Sequence, residues 1–255
     1  MIYRPDYMDA LKAFKDKPLV KILTGVRRCG KSTIFQMFKE ELIREGVSQD
    51  HIIEKRYTDM DIPESITAKQ MYEELVEAIG GKEYCYLLLD EIQEVPGWEK
   101  AINNLLEAGK ADIYITGSNS KLMSSEISTY LTGRYIQIPV FTLSYKEYLE
   151  FKKESDKSKT ELLEEYIRFG GFPIIALGEY ESQQAYQIIN GIYYTVVSRD
   201  IVKRHRINKQ DLFDRVVKYI IENVGKTFSA NSISNFLKSE HRKISVESIY
   251  NYLRW

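Results

Sequence analysis

Eight consecutive residues, Gly25-Val26-Arg27-Arg28-Cys29-Gly30-Lys31-Ser32, satisfy the spacing G-x-x-x-x-G-K-[ST], which is suited to holding a phosphate chain. Gly25 and Gly30 allow backbone conformations closed to residues with a β-carbon, so successive N–H groups can turn inward onto anionic oxygens. A helix beginning here adds the positive end of its dipole. In this arrangement Lys31 bridges the β- and γ-phosphates, Ser32 offers a hydroxyl to Mg²⁺, and Thr33 reaches the α-phosphate. Arg28 and Cys29 complete the lining. Arg27 and Arg28 either are solvated or face a nucleotide or a neighbouring subunit. Cys29 has two readings: a thiol with a lowered pKa beside a helix N-terminus and two arginines, or a small filler.

A second chemical pair closes the run Tyr84-Cys85-Tyr86-Leu87-Leu88-Leu89: the adjacent acids Asp90 and Glu91. Two carboxylates at the end of a core strand need a purpose, since buried unpaired acids are costly. Asp90 suits Mg²⁺, often through water, and Glu91 suits the general base that takes a proton from an attacking water. A second acid is unnecessary where the acceptor is a substrate hydroxyl, so the pair favours hydrolysis over phosphoryl transfer to a small molecule. The segment ADIYITGSNS supplies a further strand ending in small polar residues. Asn119 and Ser118, with Thr116 nearer the sheet, are candidates for a polar contact to the γ-phosphate or the attacking water. The same residues also make an ordinary turn. Arg134 precedes the last strand and is either an arginine reaching a neighbour's γ-phosphate or a structural residue.

These groups need a scaffold, and the pattern around them supplies one. PLVKILT reads as a strand leading into the glycine loop, and IFQMFKEELIREG as the helix that follows, with Gly46 as its stop. HIIEKRYTDMD, YCYLLLD, ADIYITGS and RYIQIPV read as further strands. TAKQMYEELVEAIGG, GWEKAINNLLEAG and a short stretch around LMSSEISTYL read as helices. Apolar strands without polar alternation belong to a sheet covered on both faces, and strands alternating with helices make it parallel. Right-handed crossovers then bring the loops after the strands to one edge. From TLSYKEYLEF onward the pattern is helical, with 152–161 as the most polar stretch and a loop near a domain junction. The last helices, LFDRVVKYIIENVG, SANSISNFLKS and ISVESIYNYLRW, with Ser229 and Ser245 as N-caps, fit a helix-turn-helix or incomplete winged-helix unit. The chain stops inside the third, as a piece of a longer protein does. The expected organisation is an α/β domain over 1–150, a helical lid over 151–208 and a winged-helix-like region over 209–255.

The chain's 255 residues, 44% hydrophobic and 29% charged, fall in the globular range. Two cysteines make neither a disulfide framework nor a four-ligand zinc site, and with no signal peptide or membrane span in the sequence the expected location is cytoplasmic. Charge is asymmetric: residues 199–255 carry 12 Lys/Arg against 6 Asp/Glu, whereas 1–198 carry 24 against 31. A basic C-terminal part suits a polyanion or is simply a solvated face.

GVRRCGKST, LLLDEIQEVPGWE, ITGSNSKLMSSEISTYLTGRY, GGFP at 170–173 and SRDIVKRHRI together resemble the prokaryotic AAA-type ATPases that carry a C-terminal domain of unknown function. The resemblance implies a P-loop NTPase sheet of the additional-strand class, with Gly25–Ser32 as Walker A and Asp90-Glu91 as Walker B. It also implies ATP and Mg²⁺ as ligands, and a switch or motor acting on nucleic acid or a protein. No arginine stands in the usual sensor 2 pattern; Arg168, Arg199 and Arg204 are the ones available. The alternative is a nucleotide-gated DNA-binding regulator in which hydrolysis is incidental. No membrane partner is expected, and the oligomeric state is open.

Overall fold

The computed structural model describes residues 2–63, 65–118, 130–202 and 205–254, which divide into two compact units, 1–192 and 193–255. The first unit opens with helix α1 (Pro5–Ala13), which has proline in its first turn, where no intrahelical N–H is needed. Five strands follow, β1 (Val20–Gly25), β2 (Ile52–Arg56), β3 (Cys85–Asp90), β4 (Ala111–Ser118) and β5 (Tyr135–Pro139). They form one sheet in the order β2-β3-β4-β1-β5, with every neighbouring pair parallel. The sequence predicts a strand over 51–61, but pairing stops at Arg56. There the Asp59 N–H donates to the Arg56 carbonyl (3.1 Å) and turns the chain out of the sheet.

The unbroken apolar runs are explained by the two-residue period of a strand. Leu87 and Leu89 on β3 pack with Ile22, Ile113 and Ile115 against helices α3 (Ala68–Ile79) and α4 (Trp98–Ala108), through Met71, Leu75 and Ile102. The alternate residues Tyr86 and Leu88, with Leu23 and Tyr114, face α1 and α2 (Lys31–Arg44), through Leu11, Ile34, Phe35 and Phe38. Each strand thus feeds two cores.

After β5 the first unit becomes helical, with α5 (Tyr145–Phe151), α6 (Lys159–Phe169), the one-turn α7 (Pro173–Leu177) and most of α8 (Ser182–Thr195), whose last three residues belong to the second unit. Ser144 and Ser158 each close a capping box with the glutamate three residues on. The polar 152–161 segment is a loop only up to Ser158. The predicted helix around LMSSEISTYL lies largely outside the described residues. In the second unit, α9 (Gln210–Glu222), α10 (Ala230–Ser239) and α11 (Val246–Arg254) pack around Val216, Ile233, Leu237 and Ile249. Ser229 and Ser245 accept from the backbone N–H three residues on, each at 3.1 Å, as the two N-caps. No strand occurs among the described residues of this unit. No described helix is long and apolar enough to cross a membrane.

At the N-terminal edge of the sheet a buried ion pair joins β1 to β4. Lys21 and Asp112 are both almost fully buried, and the ammonium pairs with the carboxylate while donating to the Lys17 carbonyl at 2.8 Å. The Tyr114 hydroxyl (2.7 Å) and the Asp16 N–H (2.8 Å) complete the shell of Asp112. Such a pair is close to neutral when intact, but losing one partner strands the other. Asp112→Ala is therefore expected to lower the unfolding free energy by about 3–5 kcal/mol. Urea denaturation measures this, and a loss of under about 1 kcal/mol would show that Lys21 is not held by this carboxylate.

Candidate functional site

All five strands run the same way, so the ends of β1, β3 and β4 share one edge, where the loop after β1 meets the acids after β3. The Ser32 hydroxyl donates to Asp90 Oδ2 at 2.7 Å. This contact joins the two chemical segments that lie far apart in the sequence.

Gly25 is required by close approach: a β-carbon here would lie 2.3 Å from the Val140 carbonyl oxygen and 2.7 Å from Cys29 Sγ. Gly30 holds the N-cap position of α2 with φ 103°, in the left-handed region open to glycine. Arg28 also has positive φ, 65°, and is exposed. Thr33 is exposed on the first turn. Lys31 is buried against its own loop, with Nζ donating to the carbonyls of Gly25 (3.0 Å) and Val26 (3.3 Å). Cys29 lies fully inside, and burial pushes its thiol pKa up even though Lys31 and Arg4 pull the other way. The reactive-thiolate reading is therefore corrected, and Cys29 is a packing residue.

Asp90 is buried and accepts on both oxygens. Oδ1 accepts from Thr116 Oγ1, and Oδ2 accepts from Ser32 and from Arg56 Nε at 3.1 Å. Glu91 has φ 54°, a left-handed conformation that a non-glycine residue holds at some cost. That turn directs its N–H onto Thr116 Oγ1 (3.1 Å), while its half-buried carboxylate accepts from Gln93 Nε2. Gln93 Oε1 is buried without a hydrogen-bond partner.

Among the three polar candidates after β4, Thr116 is the one whose described side chain reaches the acids. Ser118 ends β4 opposite Gly25, and Asn119 lies outside the described residues. Arg134 is not brought to the loop. Its carbonyl accepts from the Val20 N–H (2.9 Å) at the start of β1, on the opposite edge of the sheet. Its guanidinium donates to Asn103 (2.6 Å) and Glu107 (3.2 Å) on α4, which gives it a structural role within this chain.

Sequence reasoning missed Arg4, Arg56 and Gln93. Arg4 is buried and clamps three segments, donating to the Cys29 carbonyl (3.2 Å), the Phe141 carbonyl (3.2 Å) and Glu147 Oε1 (2.7 Å). Burial works to raise the Glu147 pKa, but Arg4 and the capping contacts of Ser144 outweigh it and hold the carboxyl below its ordinary value. The GGFP segment has a positional reason. A β-carbon on Gly171 would lie 2.1 Å from the Leu143 carbonyl oxygen, and the adjoining Pro173 comes up beside Gly30. Arg4, Pro173, Ile2, Met37, Phe151 and Leu177 line a mainly apolar cavity of about 140 Å³ next to the loop, with Thr33 on its wall.

The donor set fits a triphosphate and a divalent cation: a buried ammonium on a glycine loop, and a hydroxyl already seated on a carboxylate. The chain belongs to the AAA domain family, which matches residues 17–149, and a domain of unknown function matches residues 160–255. An uncharacterised protein of Haemophilus influenzae is 33% identical over 257 residues, covering 99% of this chain and 64% of its own length. Another, from Methanocaldococcus jannaschii, is 36% identical over 255 residues, covering 92% of this chain and 54% of its own. The chain thus spans 54–64% of the length of these two curated relatives. Among solved structures, Saccharomyces cerevisiae Hsp104 in complex with casein has a TM-score of 0.49 and 14% identity, covering 88% of this chain and 46% of that one.

The thiols give a direct check on the loop's packing. Cys29 and Cys85 are both fully buried, and burial raises both pKa values. Below the raised pKa each stays a protonated thiol, so a disulfide exchange reagent at pH 8 is expected to label neither in the folded protein and both in guanidinium chloride. Rapid native labelling of Cys29 would contradict the packed loop.

Proposed function

We propose that the chain binds ATP with Mg²⁺ and hydrolyses it, as the nucleotide-driven part of a switch or motor acting on a nucleic acid or a protein. The observation that carries this reading is the Ser32 to Asp90 hydrogen bond of 2.7 Å, which sets the phosphate loop against the acid pair. Membership of the AAA domain family supports it.

In this reading the amides of the Gly25–Ser32 loop and the start of α2 receive the phosphates. Lys31 exchanges its two loop carbonyls for phosphate oxygens, a short movement for a side chain already aimed along the loop. Ser32 and Asp90 would hold the divalent cation, whose charge would offset that building up on the transferred phosphoryl group. Thr116 fixes the Asp90 carboxylate and, through its hydroxyl, the backbone turn that presents Glu91. Glu91 takes the proton as a water oxygen bonds to the γ-phosphorus and the bond to the β-phosphate oxygen breaks, giving ADP and inorganic phosphate. Gln93 aligns the Glu91 carboxylate for that step. The apolar cavity beside Gly30 receives the nucleobase between Met37 and the Phe151, Pro173 and Leu177 side. The protein contributes position and charge rather than covalent chemistry.

The protein acts in the cytoplasm, and its basic C-terminal unit, a helix-turn-helix-like or partial winged-helix module, makes the partner contact. Glu91→Gln is expected to reduce phosphate release by about 100-fold or more, the usual worth of a general base, while ATP binding stays within about threefold. Steady-state phosphate release and calorimetric titration measure the two. Undiminished turnover in that variant would remove Glu91 from the mechanism, and absence of ATP binding by the unaltered chain would remove the function.

A further inference from the structure

β2 lies at the edge of the sheet beside β3, and the register pairs Arg56 with Asp90 as the last residues of the two strands. Register partners on parallel strands project to the same face, so the guanidinium and the carboxylate emerge side by side. Arg56 Nε donates to Asp90 Oδ2 at 3.1 Å, the same oxygen that accepts from Ser32 Oγ at 2.7 Å. The other oxygen accepts from Thr116. The carboxylate is therefore engaged on both sides by protein donors, and among the described residues its ion-pair partner is Arg56. The ends of this ion pair differ in freedom: the Asp90 side chain is 6% exposed, the Arg56 side chain 44%. Asp90 is held by Thr116 and Ser32, whereas the guanidinium is held at this end by one bond and reaches solvent.

We propose that Arg56 is a positioning residue that competes with the divalent cation for Asp90, so that this guanidinium sets how strongly nucleotide binding depends on metal. The inference rests on the reading of Gly25–Ser32 as the nucleotide loop and of Ser32 and Asp90 as the cation's protein ligands. A cation approaching the Ser32 side of Asp90 meets a like charge on the very oxygen it needs. Seating it requires the Arg56 guanidinium to leave Asp90 for solvent, which is open to a half-exposed side chain. Until then Arg56 keeps the buried carboxylate neutralised, which an acid at a strand end needs. The sheet edge thereby exchanges one counter-charge for another, and the exchange is coupled to nucleotide because the competing cation arrives with the phosphates.

The test uses the whole chain and calorimetric titration of the non-hydrolysable analogue AMPPNP, once with MgCl₂ and once with EDTA. The readout is the ratio of the two dissociation constants, which needs no turnover. Arg56→Met removes the competitor and is expected to raise the gain in affinity due to magnesium by about tenfold, with binding in EDTA little changed. Arg56→Lys keeps a cation at the same register position and is expected to stay within about threefold of the unaltered chain. It also serves as the control should the methionine variant fold poorly. An unchanged ratio in Arg56→Met, with AMPPNP still bound, overturns the competition and leaves the nucleotide site standing. Equal weakening in both media also overturns it, by showing that Arg56 contacts the nucleotide itself. No binding of AMPPNP by the unaltered chain in either medium overturns the nucleotide reading on which the inference rests.

Discussion

One buried carboxylate organises the C-terminal edge of the sheet. Asp90 receives a hydroxyl from the loop after β1, a hydroxyl from β4 and a guanidinium from β2, so a single side chain on β3 ties together the ends of four strands. Hydrogen bonds to a charged group are worth roughly 1.5–3 kcal/mol each, and the desolvation of a lone carboxylate exceeds any one of them. Asp90 is consequently stable only when its surroundings are all in place. That condition fixes where α2 begins, how Thr116 points and how the chain turns at Glu91. The strained left-handed backbone of Glu91 is held from the same centre, since its N–H rests on the threonine that also caps Asp90.

A second constraint holds the loop from the other side. Arg4 ties the Cys29 carbonyl to the exit of β5 and to the capping residue of α5. Gly25 and Gly171 each let a backbone carbonyl come closer than any side chain would permit. The loop is thus gripped by the N-terminal segment and by the turn before α7, and the apolar cavity lies between these grips. Lys31 and Cys29 are fixed by this packing, which explains why a thiol set beside arginines in the sequence behaves as a buried apolar group. Arg134 lies apart from this loop: parallel topology puts strand starts and strand ends at different edges, and its place before β5 sets it at the edge opposite its own chain's phosphate loop.

Much of this was legible in the sequence, for physical reasons. The glycine spacing, the apolar runs and the adjacent acids encode local backbone needs and burial, and the order of strands and helices confines the topology to a parallel sheet. The serine caps at Ser229 and Ser245 are equally local. Other features lie in register and long-range approach, which no local pattern carries. The pairing of Arg56 with Asp90 depends on where β2 stops, and that is set by the turn at Asp59. The clamp by Arg4 depends on residues more than a hundred positions away. Helix α1 had a usable signal in Pro5 followed by Met8 and Leu11 on one face. For Gln93 the sequence offered only its place two residues after Glu91.

The central claim is that the hydroxyl of Ser32 and the carboxylate of Asp90 are two sides of one divalent-cation site facing the phosphate loop. The most direct measurement is anomalous diffraction from crystals grown with AMPPNP and Mn²⁺. The account predicts a manganese peak in coordination contact with Ser32 Oγ, directly or through water with Asp90, and beside the phosphates on the Gly25–Ser32 loop. Bound nucleotide with its manganese remote from both residues, or phosphates bound elsewhere on the sheet, would contradict it.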